Sequence, residues 1–187
     1  RAGGEHRTSD IITDMADLDG VALVTAAYVV WVYLLMPLGP IGKMTEQVKG
    51  QQNWGDRSFM NSIEQAPLFL ASLWTHAYFV SGSAATNLGI AYLVCRVGYV
   101  VIWAMKGTEG FPMPAGFIFT FPAYGFNIYM MIGTITKLGF GMIATPMIDA
   151  VGAILCSALF FMYAVKVTPV IHQAVKPMFT ASSSPQL

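Results

Sequence analysis

Charged residues divide this chain into long uncharged runs whose lengths suit a lipid bilayer. A hydrocarbon core of about 30 Å needs roughly 20 apolar residues in a helix, because unpaired backbone groups are too costly in lipid. Between Asp19 and Lys43 lie 23 uncharged residues, including VALVTAAYVVWVYLLMPLG (21–39). From Gln65 to Cys95 there are 31 without a formal charge, too many for one span. That run contains SGSAATN (81–87), a small and polar cluster suited to a tight turn between helices. The pattern therefore predicts a second span over about 60–80 and a third over about 87–106. A fourth lies in the 27 uncharged residues between Glu109 and Lys137, entered through Pro112 and Pro114. A fifth, about 146–167, carries Asp149 near its start, where it is expected to cap the helix or meet the membrane interface. Five helices are predicted and no strand. Residues 1–19 are polar and acidic overall, with Ile11, Ile12, Met15 and Leu18 spaced like the apolar side of a short surface helix.

Composition agrees with an integral membrane protein. Of 187 residues, 55% are hydrophobic and 11% charged, against roughly a quarter charged in a soluble domain. The net charge is zero and the basic residues are scattered, so there is no electrostatic footprint for nucleic acid. Cys95 and Cys156 both sit in apolar runs, which argues against a disulfide-stapled secreted module and a cysteine zinc site. Lysine and arginine favour the side carrying the 43–59 loop, residues 106–109 and the C-terminus as the cytoplasmic side or its organellar equivalent. The chain opens on Arg1, as expected of a cleaved or trimmed protein whose targeting segment has been removed.

The chemistry concentrates at the entry to the second span. Arg57, Asn61 and Glu64 are spaced i, i+4, i+7, so one helix face gathers a cation, an amide and a carboxylate within about two turns. Such groups are expensive in a membrane and face protein or a water-filled cavity. On the third span Arg96, Tyr99 and Trp103 follow a similar spacing. From spacing alone these are interhelical salt bridges and interfacial anchors before they are a ligand site. Counted from a turn near Ala84, Glu64 and Arg96 stand about 12 Å apart along the bundle, which disfavours a direct pair. His76 offers an axial ligand for a pigment such as chlorophyll or haem, although a bond to a neighbouring helix is the commoner fate of a lone membrane histidine.

The run Arg57-x-x-x-Asn61-x-x-Glu64-x-x-Pro67, continuing as PLFLASLW (67–74), resembles the signature of the MAPEG superfamily, the membrane-associated proteins of eicosanoid and glutathione metabolism. The resemblance continues through LGIAYLVCRVGYV (88–100), where family members carry an arginine followed three residues later by tyrosine. It implies an all-α integral membrane protein: an antiparallel four-helix bundle over 20–137, preceded by the polar segment 1–19. Residues 138–187 then hold a fifth transmembrane helix and a polar tail, without a family counterpart. The resemblance also implies a homotrimer in the lipid bilayer, with glutathione bound between subunits by Arg57, Asn61, Glu64 and Tyr99. Arg57 is given a carboxylate, Glu64 the ammonium group, and Asn61 both donates and accepts; Arg96 is read as structural.

Two readings follow. One is a glutathione transferase or peroxidase acting on lipophilic substrates, at the endoplasmic reticulum if family-like. The other is a non-catalytic accessory or scaffold subunit of a large photosynthetic or respiratory complex, in a plastid or mitochondrial membrane. A thiol needs a nearby cation to ionise at neutral pH. Catalytic members place an arginine just beyond the third span, where this chain has none and only Lys106 is at hand. Trp103 stands where a second tyrosine is expected, and the basic cluster after the first span is reduced to Lys43 and Lys49.

Overall fold

A computed structural model of the chain describes residues 3–44, 54–106, 113–142 and 145–181. The described residues form helices α1 (Gly3–Leu35), α2 (Leu38–Met44), α3 (Trp54–Phe79), α4 (Gly82–Lys106), α5 (Met113–Phe140) and α6 (Pro146–Ala181). They contain no strand, and five long helices run antiparallel. The polar segment at the N-terminus is not a separate element: it continues without a break into the first span.

Each boundary has a local cause. Pro37 disfavours helix at Met36, so α1 stops at Leu35, and α2 begins with Ile41 donating its N–H to the Pro37 carbonyl. Lys43 in the last turn of α2 pairs at 2.7 Å with Asp56 in the first turn of α3, each charge suiting its own helix end. Gly55 lets α2 and α3 meet backbone to backbone, since a Cβ there would run into the Leu38 carbonyl. The turn between α3 and α4 falls on Val80 and Ser81, both of whose N–H groups bond the His76 carbonyl. Gly82 already opens α4, so most of the polar cluster expected to form that turn is helical. Gly141, at φ 64°, ends α5 in the left-handed conformation that glycine adopts without strain. The cap of α6 is Thr145, whose hydroxyl accepts from the Ile148 N–H; of the two roles expected for Asp149, capping the helix is therefore not the one it takes, and its side chain is buried at the start of the span.

Among the described residues, three stretches are long and apolar enough to cross a membrane: Leu18–Ile41, which runs from α1 into α2, Gly82–Met105 and Pro146–Val167. Their outer faces carry Leu23, Val94 and Leu159, all exposed. Inside, Val21, Val24 and Tyr28 of α1 meet Phe69 and Leu73 of α3 and Leu88 and Tyr92 of α4. Phe69 and Tyr92 stack with ring centroids 4.0 Å apart, and Tyr28 closes on Phe69 at 5.0 Å.

α6 lies outside this bundle and packs on α5. Burial along α5 alternates from Phe121 to Tyr129, because one face meets α3 and α4 while the other meets α6. A Cβ on Gly152 would overlap the Tyr129 ring, and one on Gly125 would lie 2.6 Å from the Ser157 backbone.

Candidate functional site

Two neighbouring faces of α3 carry its polar side chains. The inward face is Ser58, Ser62, Gln65, Phe69, Ser72 and His76, at alternating intervals of four and three, the repeat of a helix packed along its length. Arg57, Asn61, Glu64 and Leu68 repeat the same intervals one residue earlier, which rotates them by about 100°. Arg57 and Glu64 are consequently exposed and Asn61 half-buried. Of the two placements expected for Arg57 and Glu64, inward or toward a protein neighbour, the single chain does not adopt the first. Neither makes an ion pair among the described residues.

The interior beside them is polar. Arg96 retains 2% of its exposure and donates from Nη2 to Ser62 Oγ at 3.2 Å. The Ser62 carbonyl accepts the Tyr28 hydroxyl, tying α1, α3 and α4 together through one residue. The Arg96 guanidinium also lies 5.4 Å from the centre of the Tyr99 ring, a cation–π distance. No carboxylate balances Arg96 among the described residues, and its Nε, Ser58 Oγ and Gln65 Oε1 are buried without hydrogen-bond partners there.

The expected height difference between Glu64 and Arg96 does not hold. With the turn at Val80 and Ser81, Glu64 precedes it and Arg96 follows it by nearly the same number of residues. They stand level. What separates them is orientation, since Arg96 reaches inward to Ser62 while Glu64 faces out.

Tyr99 is buried at 7% exposure, with its ring 5.6 Å from that of Trp103. Tyr124 of α5 accepts a hydrogen bond from Gln65 Nε2 at 2.9 Å, which joins α5 to the inward face of α3. Phe160 of α6 stacks on Tyr124 at 4.7 Å, so the outermost helix borders the same region. Lys106 ends α4; its side chain, and the following residues 107–112, lie outside what is described.

The sequence model of the MAPEG family matches residues 20–135. The chain belongs to the MAPEG family. Among curated proteins and solved structures, none matches it. The MAPEG match covers α1 from Gly20 and α2 to α4, and ends within α5, leaving α6 outside it. This MAPEG chain is a membrane protein of that family, with Arg57, Asn61 and Glu64 in the matched part.

Sequence reasoning missed the interior serines and Tyr124. The serines had a readable signal in the four–three repeat of Ser58, Ser62, Gln65, Phe69, Ser72 and His76. Tyr124 had none, because its neighbours come from two other helices. At the far end, the bond to a neighbouring helix expected of His76 is present: Nδ1–H donates to the Met130 carbonyl at 3.1 Å, and the residue has 0% exposure.

Proposed function

We propose that this MAPEG protein binds glutathione along the outward face of α3, with Arg57 holding a carboxylate, Glu64 the ammonium group and Asn61 the peptide between them. The supporting observation is that face itself: two opposite charges and an amide, aligned and without ion pairs among the described residues. Seven residues of helix place the two charges about 10 Å apart, and an extended chain of three residues reaches about 10 Å. In this reading Tyr99 contributes to the same site from α4. A second subunit covers the outer side in this reading, because exposed charges at membrane depth otherwise cost at least about 2.5 kcal/mol each.

Turnover is slow or absent in this proposal. The thiolate needs a cation, and lysine is a point charge on a flexible stem where arginine presents a fixed fork. The accessory-subunit reading has one observation in its favour: α6, beyond the family match, places Phe160 against Tyr124 at the edge of the proposed site. An added helix there suits a chain that docks on others and has lost its chemistry.

Calorimetry with glutathione on the full chain in detergent tests the binding. Loss of one charge-assisted contact of about 1.5–3 kcal/mol in Arg57→Ala weakens binding roughly 10- to 150-fold. Binding unchanged in both Arg57→Ala and Glu64→Gln would overturn the proposal. Cross-linking in native membranes separates the readings further: a self-trimer supports the glutathione site, and one copy among foreign chains supports the accessory subunit.

A further inference from the structure

A second polar site lies at the opposite end of the bundle, between the first turns of α4 and α6. A cavity of ≈ 350 Å³ opens there, lined by Ser81, Ser83 and Asn87 on one side and by Pro146, Asp149 and Ala150 on the other. Asp149 retains only 9% of its exposure. Its Oδ1 accepts the Tyr129 hydroxyl, and Tyr129 in turn packs its ring 6.0 Å from that of His76. Asp149 forms no salt bridge among the described residues, and Oδ2 accepts no hydrogen bond from them. The Asp149 carboxylate thus lines the cavity with one oxygen engaged by Tyr129 and the other open to a cation that carries N–H donors.

The surroundings narrow the cation. Among the described residues no three His, Cys, Asp or Glu side chains gather to hold a metal. The cavity wall offers hydroxyl and amide oxygens and no aromatic ring. Hydroxyl and amide acceptors suit an ammonium that carries N–H donors, whereas a trimethylammonium group is recognised by an aromatic cage. The first turns of α4 and α6 also border the cavity, through Ser83 and Ala84 and through Pro146 and Asp149. Helix N-termini favour a phosphate beside the ammonium. The apolar spans of both helices begin here, at Gly82 and Pro146, so the cavity sits at headgroup level.

We propose that this cavity binds the phosphoethanolamine headgroup of a membrane lipid, its ammonium on Asp149 and its phosphate toward the first turns of α4 and α6. The site is independent of the α3 face, which starts at the other side of the membrane. It disfavours net-anionic lipids, because the Asp149 carboxylate repels a headgroup without the ammonium.

Native mass spectrometry of the full chain, released from detergent containing equal amounts of phosphatidylethanolamine and phosphatidylcholine with matched acyl chains, tests it. One charge-assisted hydrogen bond gives a preference for the ethanolamine lipid on the order of tenfold. Asp149→Asn, which can still accept from Tyr129, is expected to bring the two lipids to parity. Asn87→Leu and Ser83→Leu, on the exposed wall of the cavity, are expected to do the same and decide the matter if the Asp149 variant does not fold. Free phosphoethanolamine in large excess is expected to leave the lipid in place. Equal retention of both lipids by the unmodified chain, a preference unchanged in the variants, or displacement by free phosphoethanolamine would each overturn the lipid site.

Discussion

Placing a methyl group on Gly125 probes how α6 is held. A Cβ there lies 2.6 Å from both the Cα and the amide nitrogen of Ser157, and closer still to Ser157 Oγ. Ordinary carbon contacts lie near 3.5–4.0 Å, so α6 must retreat by about 1 Å, and a gap of that size forfeits up to about half of each dispersion contact. The contacts at stake include Tyr124 on Phe160 and the edge of Phe121 on Phe161, at centroid distances of 4.7 and 5.0 Å. Overpacking of this kind costs about 1–3 kcal/mol. The cost falls on the attachment of α6, while the packing among α1, α3 and α4 is untouched. Cys156, buried one residue before Ser157, reports on it directly; Cys95, half-buried on α4, serves as the internal control. In detergent-solubilised Gly125→Ala the Cys156 thiol is expected to react with a maleimide roughly 5- to 150-fold faster, following the lowered cost of opening, with Cys95 unchanged. Adding Ser157→Ala removes the Oγ overlap but leaves the backbone where it was, so the second substitution restores only part of the protection. Full restoration, or no acceleration at all, would show that the helices do not approach backbone to backbone.

Three further outcomes are expected. Ser62→Ala strips Arg96 of its hydrogen bond and the structure of the oxygen on which α3 and α4 meet; it lowers stability by about 1–3 kcal/mol, read from thermal unfolding in detergent. Tyr129→Phe, by leaving Asp149 without its donor, destabilises by a similar 1–3 kcal/mol, and Asp149→Asn destabilises less because the amide oxygen can still accept. If conjugation of glutathione to a lipophilic electrophile is detectable, Lys106→Met abolishes it while calorimetric binding persists; activity that survives Lys106→Met would remove Lys106 from any part in activating the thiol.

The spacing of charges was enough to read the number of long helices, because a membrane imposes its thickness on every span. Their ends were read less well. SGSAATN has the composition of a loop, yet a turn needs only two residues when His76 can take two N–H groups on one carbonyl, and the remaining small residues are free to begin α4. That displacement carried the Glu64–Arg96 estimate with it. The outward face of α3 was legible since Arg57, Asn61 and Glu64 repeat at helical intervals. The inward face obeys the same intervals but is built from serine and glutamine, which do not announce burial. Asp149 was visible as a charge in an apolar run; its tie to Tyr129 was not, because that contact depends on how α6 lies against α5. Contacts between helices distant in sequence leave no periodic trace in either one.

The one-sided attachment of α6 bears on how such a chain can change over time. A helix that leans on α5, and borders a cavity beside α4, can be gained or lost without altering the register of α1, α3 and α4. The adjustments it demands are local and small: glycines at 125 and 152, and aromatic side chains along a single neighbouring strip. α5 bears the whole constraint, with partners on both flanks, and should tolerate the fewest substitutions of any helix. The lipid-facing side of α6 should drift the most freely. Sequence variation among close relatives would then be steepest between two helices in direct contact.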